Sequence, residues 1–187
     1  MIFQQRKAPS HRMTVNVHRG WSAKYSENTE LAFEQAIHIW LDYIELDFRK
    51  CRDGTLVISH DSDLRRRTLR SNRISELSVQ QLHQINVGRG QFVSTLEEIL
   101  QLCRGKIGIH LEIKENGLCA RIASLTQKYH MEQYVIFSSF HHIELLRIRE
   151  FIPTAITAPN QFLQCFCNSF QYPDDWCNIV HAKVFQS

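Results

Sequence analysis

Four short apolar runs in this chain each end in a compact polar cluster, and that repetition limits the folds available to it. Met13 to Val17 leads into His18-Arg19-Gly20, and Tyr43 to Phe48 carries Glu45-Leu46-Asp47. Thr55 to Ser59 leads into His60-Asp61, and Lys106 to Ile113 into Glu112-Ile113-Lys114. Runs of this length read as strands, and the segments between several of them have helical spacing. Leu31, Phe33, Ala36 and Ile37 follow a capping candidate at Ser26 to Thr29, and Leu96, Ile99, Leu100 and Leu102 follow Ser94-Thr95. Strands that alternate with helices predict a parallel sheet. Chemistry-bearing residues at strand ends predict an enzyme.

Side chains alternate across a strand, so Glu45 and Asp47 share one face, as do His110, Glu112 and Lys114. Adjacent carboxylates repel unless a cation or a proton lies between them. With Glu112 from a second strand, two histidines and a lysine, the set predicts an oxygen-ligated divalent metal with acid/base partners and a phosphate-binding cation. Surface carboxylates and internal salt bridges are the plain alternatives. His110 lies deeper on its strand and is expected in the core.

The rest of the chain sets boundaries. One domain is expected for 187 residues of which 43% are hydrophobic. A net charge of +3 does not argue for nucleic acid. Arg65-Arg66-Arg67, with Arg70 and Arg73, is the one local basic excess. It reads as a solvated loop or as a device steering an anionic substrate or lipid headgroup. No apolar stretch approaches the roughly 20 residues of a membrane span, and residues 1–7 lack a signal-peptide apolar core, so no stable membrane insertion and a cytoplasmic location are expected. Six cysteines without a CxxC pair fit reduced thiols; Cys165, Cys167 and Cys177 form a weak candidate for a soft metal. Residues 62–93 are polar and read as an excursion outside the sheet, with a helical candidate at 78–85. Leu118 to Tyr129 and Ile143 to Ile148 read as helices, Tyr134 to Phe137 as a strand, and Thr154 to Ala158 as one more.

These residues resemble the glycerophosphodiester phosphodiesterase family. The resemblance is carried by His18-Arg19-Gly20, Glu27-Asn28-Thr29, Glu45-Leu46-Asp47, Asp53-Gly54 followed by an apolar strand and His60-Asp61, and Arg67-Thr68. It continues through Thr95-Leu96-Glu97-Glu98, Leu111-Glu112-Ile113-Lys114 and Ser138-Ser139-Phe140, in the family's order and at close to its spacing. It covers residues 13–153; Ser26 stands where the family usually has proline, and 154–187 is an atypical tail.

The resemblance implies an α/β fold, a TIM-type (β/α) barrel with a small insertion at 62–93 after an early strand. A full barrel typically takes about 250 residues, so the C-terminal part is expected to be incomplete. It implies metal-dependent hydrolysis of glycerophosphodiesters, such as glycerophosphocholine or glycerophosphoethanolamine, to an alcohol and glycerol 3-phosphate. Glu45, Asp47 and Glu112 would hold one Ca²⁺ or Mg²⁺, His18 and His60 would act as acid and base, Arg19 and Lys114 would bind phosphate, and Glu27 would contact the metal site or a glycerol hydroxyl. Two rivals stand beside it: a lysophospholipase-D-like activity, and a truncated, catalytically silent module that binds a phosphoryl ligand. Open barrel edges would need covering by a partner, by a second copy in a homodimer or by the irregular tail.

Overall fold

The computed structural model describes residues 14–160. The Cys165, Cys167 and Cys177 candidate and the apolar tail lie outside them. Five parallel strands form the sheet in the order β1 (Asn16–His18), β2 (Tyr43–Lys50), β4 (Gly108–Glu112), β5 (Val135–Ser139) and β6 (Ile156–Pro159). The short β3 (Leu56–Ile58) turns back antiparallel on the end of β2, pairing Phe48 with Ile58 and Lys50 with Leu56. Helices α1 (Glu30–His38), α4 (Leu96–Cys103), α5 (Cys119–Lys128) and α6 (His142–Phe151) lie between the strands. Two one-turn helices, α2 (Arg65–Thr68) and α3 (Val79–Leu82), belong to the excursion.

Strand alternation divides the sheet into two chemically distinct faces. Ile44, Leu46, Phe48, Ile109, Leu111, Ile113, Val135 and Phe137 join Phe33, Ala36, Ile99, Leu100, Ile122, Ala123, Leu145 and Ile148 from the helices in one apolar core. The opposite face carries Asn16 and His18, then Tyr43, Glu45 and Asp47, then Gly108, His110 and Glu112, and finally Ile136 and Ser138. Register stacks this face into layers. The deepest layer puts the Tyr43 ring over Gly108, where any Cβ would lie 2.4 Å from the ring, so only glycine fits. The His110 side chain is buried as expected, with Asn16 Nδ2 2.7 Å from its Nδ1.

The helix starts follow the sequence signals. Thr29 caps α1, its Oγ1 accepting from the Ala32 amide at 3.3 Å, and Thr95 with Glu98 forms a reciprocal capping box at α4. β5 extends two residues past the predicted Phe137, which brings Ser138 and Ser139 into the sheet.

The excursion does leave the sheet, but it is less polar inside than its composition suggests. Leu64, Ile74, Leu82, Ile85, Val87 and Val93 bury themselves with Cys51 and Val57 in a second apolar cluster. These positions have no regular period, which is why the sequence reads as loop. The Asp53-Gly54 turn anchors the excursion: Asp53 accepts from the Thr55 amide at 3.1 Å and from the Val79 amide at 2.8 Å.

Candidate functional site

Glu45 and Asp47 lie two residues apart on one face of β2, and register places Asp47 opposite Glu112 of β4. The three side chains each offer an oxygen within 4.8 Å of the others, at the C-terminal end of the parallel strands. Burial and the neighbouring Asp47 charge push the Glu45 carboxyl up to about 8. Burial also raises Glu112, with Lys114 opposing it. Asp47 goes the other way: burial pushes it up, but Lys114, Arg19 and His60 outweigh that and hold it below the usual carboxylate range. The cluster therefore concentrates more negative charge than its surroundings comfortably neutralise.

Two cations stand against it. Lys114 Nζ lies 2.8 Å from Asp47 Oδ1 and 3.7 Å from Glu112 Oε1. Arg19 presents Nε 3.2 Å from Asp47 Oδ2, while its backbone amide donates to Glu45 Oε2 at 3.0 Å. This dual contact requires a bent backbone. Arg19 has φ 58°, and Gly20 beside it has φ 75° with the Phe33 ring 2.8 Å from where a Cβ would sit. Asn28, also left-handed at φ 52°, donates its amide N–H to the Arg19 carbonyl at 3.0 Å and its side-chain Nδ2 to Asp47 Oδ2 at 3.2 Å. The salt bridges that the sequence left as an alternative reading for Arg19 and Lys114 are thus present, and they bind to the same carboxylates.

The two histidines occupy different settings. His18 ends β1 and sets Nε2 4.0 Å from Glu45 Oε2. His60 follows β3, with Nδ1 2.7 Å from Asp61 Oδ1, and the Arg49 guanidinium holds its carbonyl through two bonds of 2.8 and 3.2 Å. Arg66 then ties the rim together by donating to Asp61 at 2.6 Å and to Glu27, which also receives two bonds of 3.2 Å from Arg19. Burial raises the Glu27 carboxyl, but these two arginines reverse the shift and leave it below its ordinary value. Beside His60 opens a cleft of about 510 Å³, lined by Arg49, Asp61, Ser62, Asp63, Arg65 and Arg66.

This site stands at strand ends of a parallel βα sheet, and comparison with known proteins identifies the lineage. The family model described as the glycerophosphoryl diester phosphodiesterase family matches residues 18–164. The chain belongs to this family. A glycerophosphodiester phosphodiesterase of Bacillus altitudinis is 31% identical over 153 residues, covering 74% of this chain and 62% of that protein. The crystal structure of the glycerophosphodiester phosphodiesterase from Agrobacterium tumefaciens aligns with a TM-score of 0.72 at 26% identity, over 79% of this chain and 66% of that one. A phosphodiesterase from Oleispira antarctica, solved in complex with the product sn-glycerol-3-phosphate, aligns at 0.69 and 25% identity over 79% and 66%. The chain therefore spans less than two thirds of the length of each of these relatives, and its sheet is part of a TIM-type barrel.

In this member of the family all eight residues singled out from sequence converge on one region: His18, Arg19, Glu27, Glu45, Asp47, His60, Glu112 and Lys114. Four neighbours have no assigned role in the sequence reading. The sequence marks Asn28 through a helix start and the family element Glu27-Asn28-Thr29, and Arg66 through a basic run, neither with a defined contact in the site. Arg49 gave no signal, because its contact with His60 depends on how β3 turns back. Ser138 is the fourth: it pairs with Glu112 across the sheet, is buried, and has a hydroxyl without a hydrogen-bond partner. Its signal in the sequence is the family element Ser138-Ser139-Phe140, which gives it no role at the site.

Proposed function

We propose that this site hydrolyses glycerophosphodiesters to an alcohol and glycerol 3-phosphate, with one Ca²⁺ or Mg²⁺ held by Glu45, Asp47 and Glu112. The observation that carries this reading is the meeting of three carboxylates from two strands with two histidines and two cations. The donor set suits a hard cation, being all oxygen, and the raised Glu45 carboxyl marks a repulsion that a cation would relieve. When bound, such an ion supplies Lewis-acid polarisation of a phosphoryl oxygen. The Oleispira antarctica relative, bound to sn-glycerol-3-phosphate, supports the choice of product.

The chain's own groups would then divide the work. One of His18 and His60 takes the proton from the substrate's free glycerol hydroxyl as that oxygen bonds to phosphorus; the other protonates the leaving alkoxide as its P–O bond breaks. The resulting cyclic phosphate is opened by water with the proton roles reversed. Arg19 and Lys114 keep donors beyond those given to Asp47, and these would meet the non-bridging phosphate oxygens. Glu27, held by Arg19 and Arg66, would accept from a glycerol hydroxyl, and the cleft beside His60 would receive the leaving alcohol.

Cys51, Cys103 and Cys119 are free and buried, which supports a reducing compartment and hence the cytoplasm. Exposed Ile143, Leu146 and Ile156 beside β6 support the homodimer, and mass measurement in solution tests it.

The test of function is release of glycerol 3-phosphate from glycerophosphocholine, with either cation, with chelator, and in His18→Ala. Metal-dependent release lost in the variant is expected. A substrate lacking the neighbouring hydroxyl should turn over poorly, and equal turnover would remove the cyclic step. Binding of glycerol 3-phosphate by folded, cation-loaded protein without any release would make the chain the silent module instead.

A further inference from the structure

The excursion of residues 62–93 holds six arginines against only Asp63 and Glu76, so it carries more than the whole chain's net charge of +3. Its tip runs from Arg65 to Asn72, with no residue of it buried. The tip is pinned at its base, where the Leu64 amide donates to the Asn72 carbonyl at 3.1 Å and the Ile74 amide to the Ser62 carbonyl at 2.9 Å. Leu69 stands at the apex in a left-handed conformation, φ 61°, that a branched residue seldom adopts. Its amide closes α2 by donating to the Arg65 carbonyl at 3.1 Å, and its side chain is 94% exposed. Arg65, Arg70 and Arg73 are exposed around it.

We propose that this tip docks the protein reversibly on an anionic lipid surface, with Leu69 entering the headgroup boundary and Arg65, Arg70 and Arg73 meeting lipid phosphates. Charge complementarity selects an anionic partner. The projecting leucine selects a membrane over a dissolved polyanion, because only an interface rewards burial of an apolar apex ringed by arginine. The position is also directional. The tip grows from the segment that carries His60 and Asp61, and Arg66 at its base contacts Asp61 and Glu27, so docking brings the site mouth to the lipid. Among the described residues no helix is long and apolar enough to cross a membrane.

Vesicle co-sedimentation of the full chain tests the proposal without reference to catalysis. Phosphatidylcholine vesicles are compared with vesicles containing about a third phosphatidylglycerol. Binding is expected only to the anionic vesicles and should weaken with salt. It should fall about fivefold for each arginine removed in Arg65→Gln and Arg70→Gln. Leu69→Ser should weaken it several-fold, while Trp40→Ser, which alters an 82% exposed side chain after the far end of α1, should not. Circular dichroism confirms that each variant is folded. Equal binding to both vesicle types, or equal loss in Trp40→Ser, overturns the proposal. So does capture of a short RNA that displaces vesicles and is insensitive to Leu69→Ser. A further arm rests on the phosphodiesterase reading: Leu69→Ser should lower turnover of vesicle-borne lysophospholipid and spare glycerophosphocholine. Inactivity toward both would fault that reading and leave the binding result standing.

Discussion

The carboxylate cluster and the histidine rim lie side by side but are held by different physics. Glu45, Asp47 and Glu112 are set by strand alternation and register, beneath which the Tyr43 ring packs over Gly108 without room for a methyl group there. His60, Asp61, Glu27 and Arg66 sit on connections and are half-buried or exposed, joined by charge-assisted hydrogen bonds. Backbone pairing makes the first region stiff; side-chain pairing makes the second adjustable. Under the proposed function, this arrangement separates a fixed charge centre from a rim that holds His60, one of the two proton-moving histidines.

The largest effect should come from breaking the fixed centre. Asp47→Asn should abolish glycerol 3-phosphate release, by about a thousandfold or more. It should also destabilise the protein in denaturant by about 3 kcal/mol, because Lys114 and Arg19 lose the charge they face. If activity falls without loss of stability, those ion pairs contribute nothing net to folding.

Next in size, His60→Ala should reduce kcat by roughly 10²–10⁴ with stability nearly unchanged, since the side chain is partly exposed. Arg66→Ala is milder: about a tenfold loss in kcat/KM is expected, with a stability change under about 1 kcal/mol because the guanidinium is half exposed. A loss as large as that of His60→Ala would mean that Arg66 contacts substrate rather than orienting Asp61 and Glu27.

A change of pH sharpens the comparison without touching the rim. The Glu45 carboxyl is raised in the folded state to about 8, above its unfolded value of 4.5, so between these limits the folded chain binds the extra proton. Stability without divalent cation should therefore fall as pH rises from about 5 to about 8. Glu45→Gln should flatten that decline and stabilise the cation-free protein at pH 8 by about 1–2 kcal/mol. Added Ca²⁺ or Mg²⁺ should raise Tm more at pH 8 than at pH 6. Thermal melts at the two pH values decide this, and an unchanged slope in Glu45→Gln would assign the dependence to another group.

Much of this was legible in the residues. The period of two in Ile44-Glu45-Leu46-Asp47-Phe48 separates a helix-facing side from a site-facing side on its own, and Thr95 with Glu98 announces a helix start. Polar clusters at strand ends were readable for the same reason, because a local pattern encodes them. The second apolar cluster in the excursion was not, since Leu64, Ile74, Leu82 and Val93 follow no period and meet only after the chain folds over β3.

The amino-acid sequence by itself determined the βα order and the faces of the strands, since alternation and capping act over a few positions, while the resemblance to the family supplied Glu27 and the roles of the eight candidate residues. Only the tertiary structure decided that Arg66 joins Glu27 to Asp61, that Asn28 and Arg19 turn left-handed to reach Asp47, and that Ser138 stands beside Glu112. Those contacts link residues far apart in the chain, and their partners are selected by packing and electrostatics that no local pattern records.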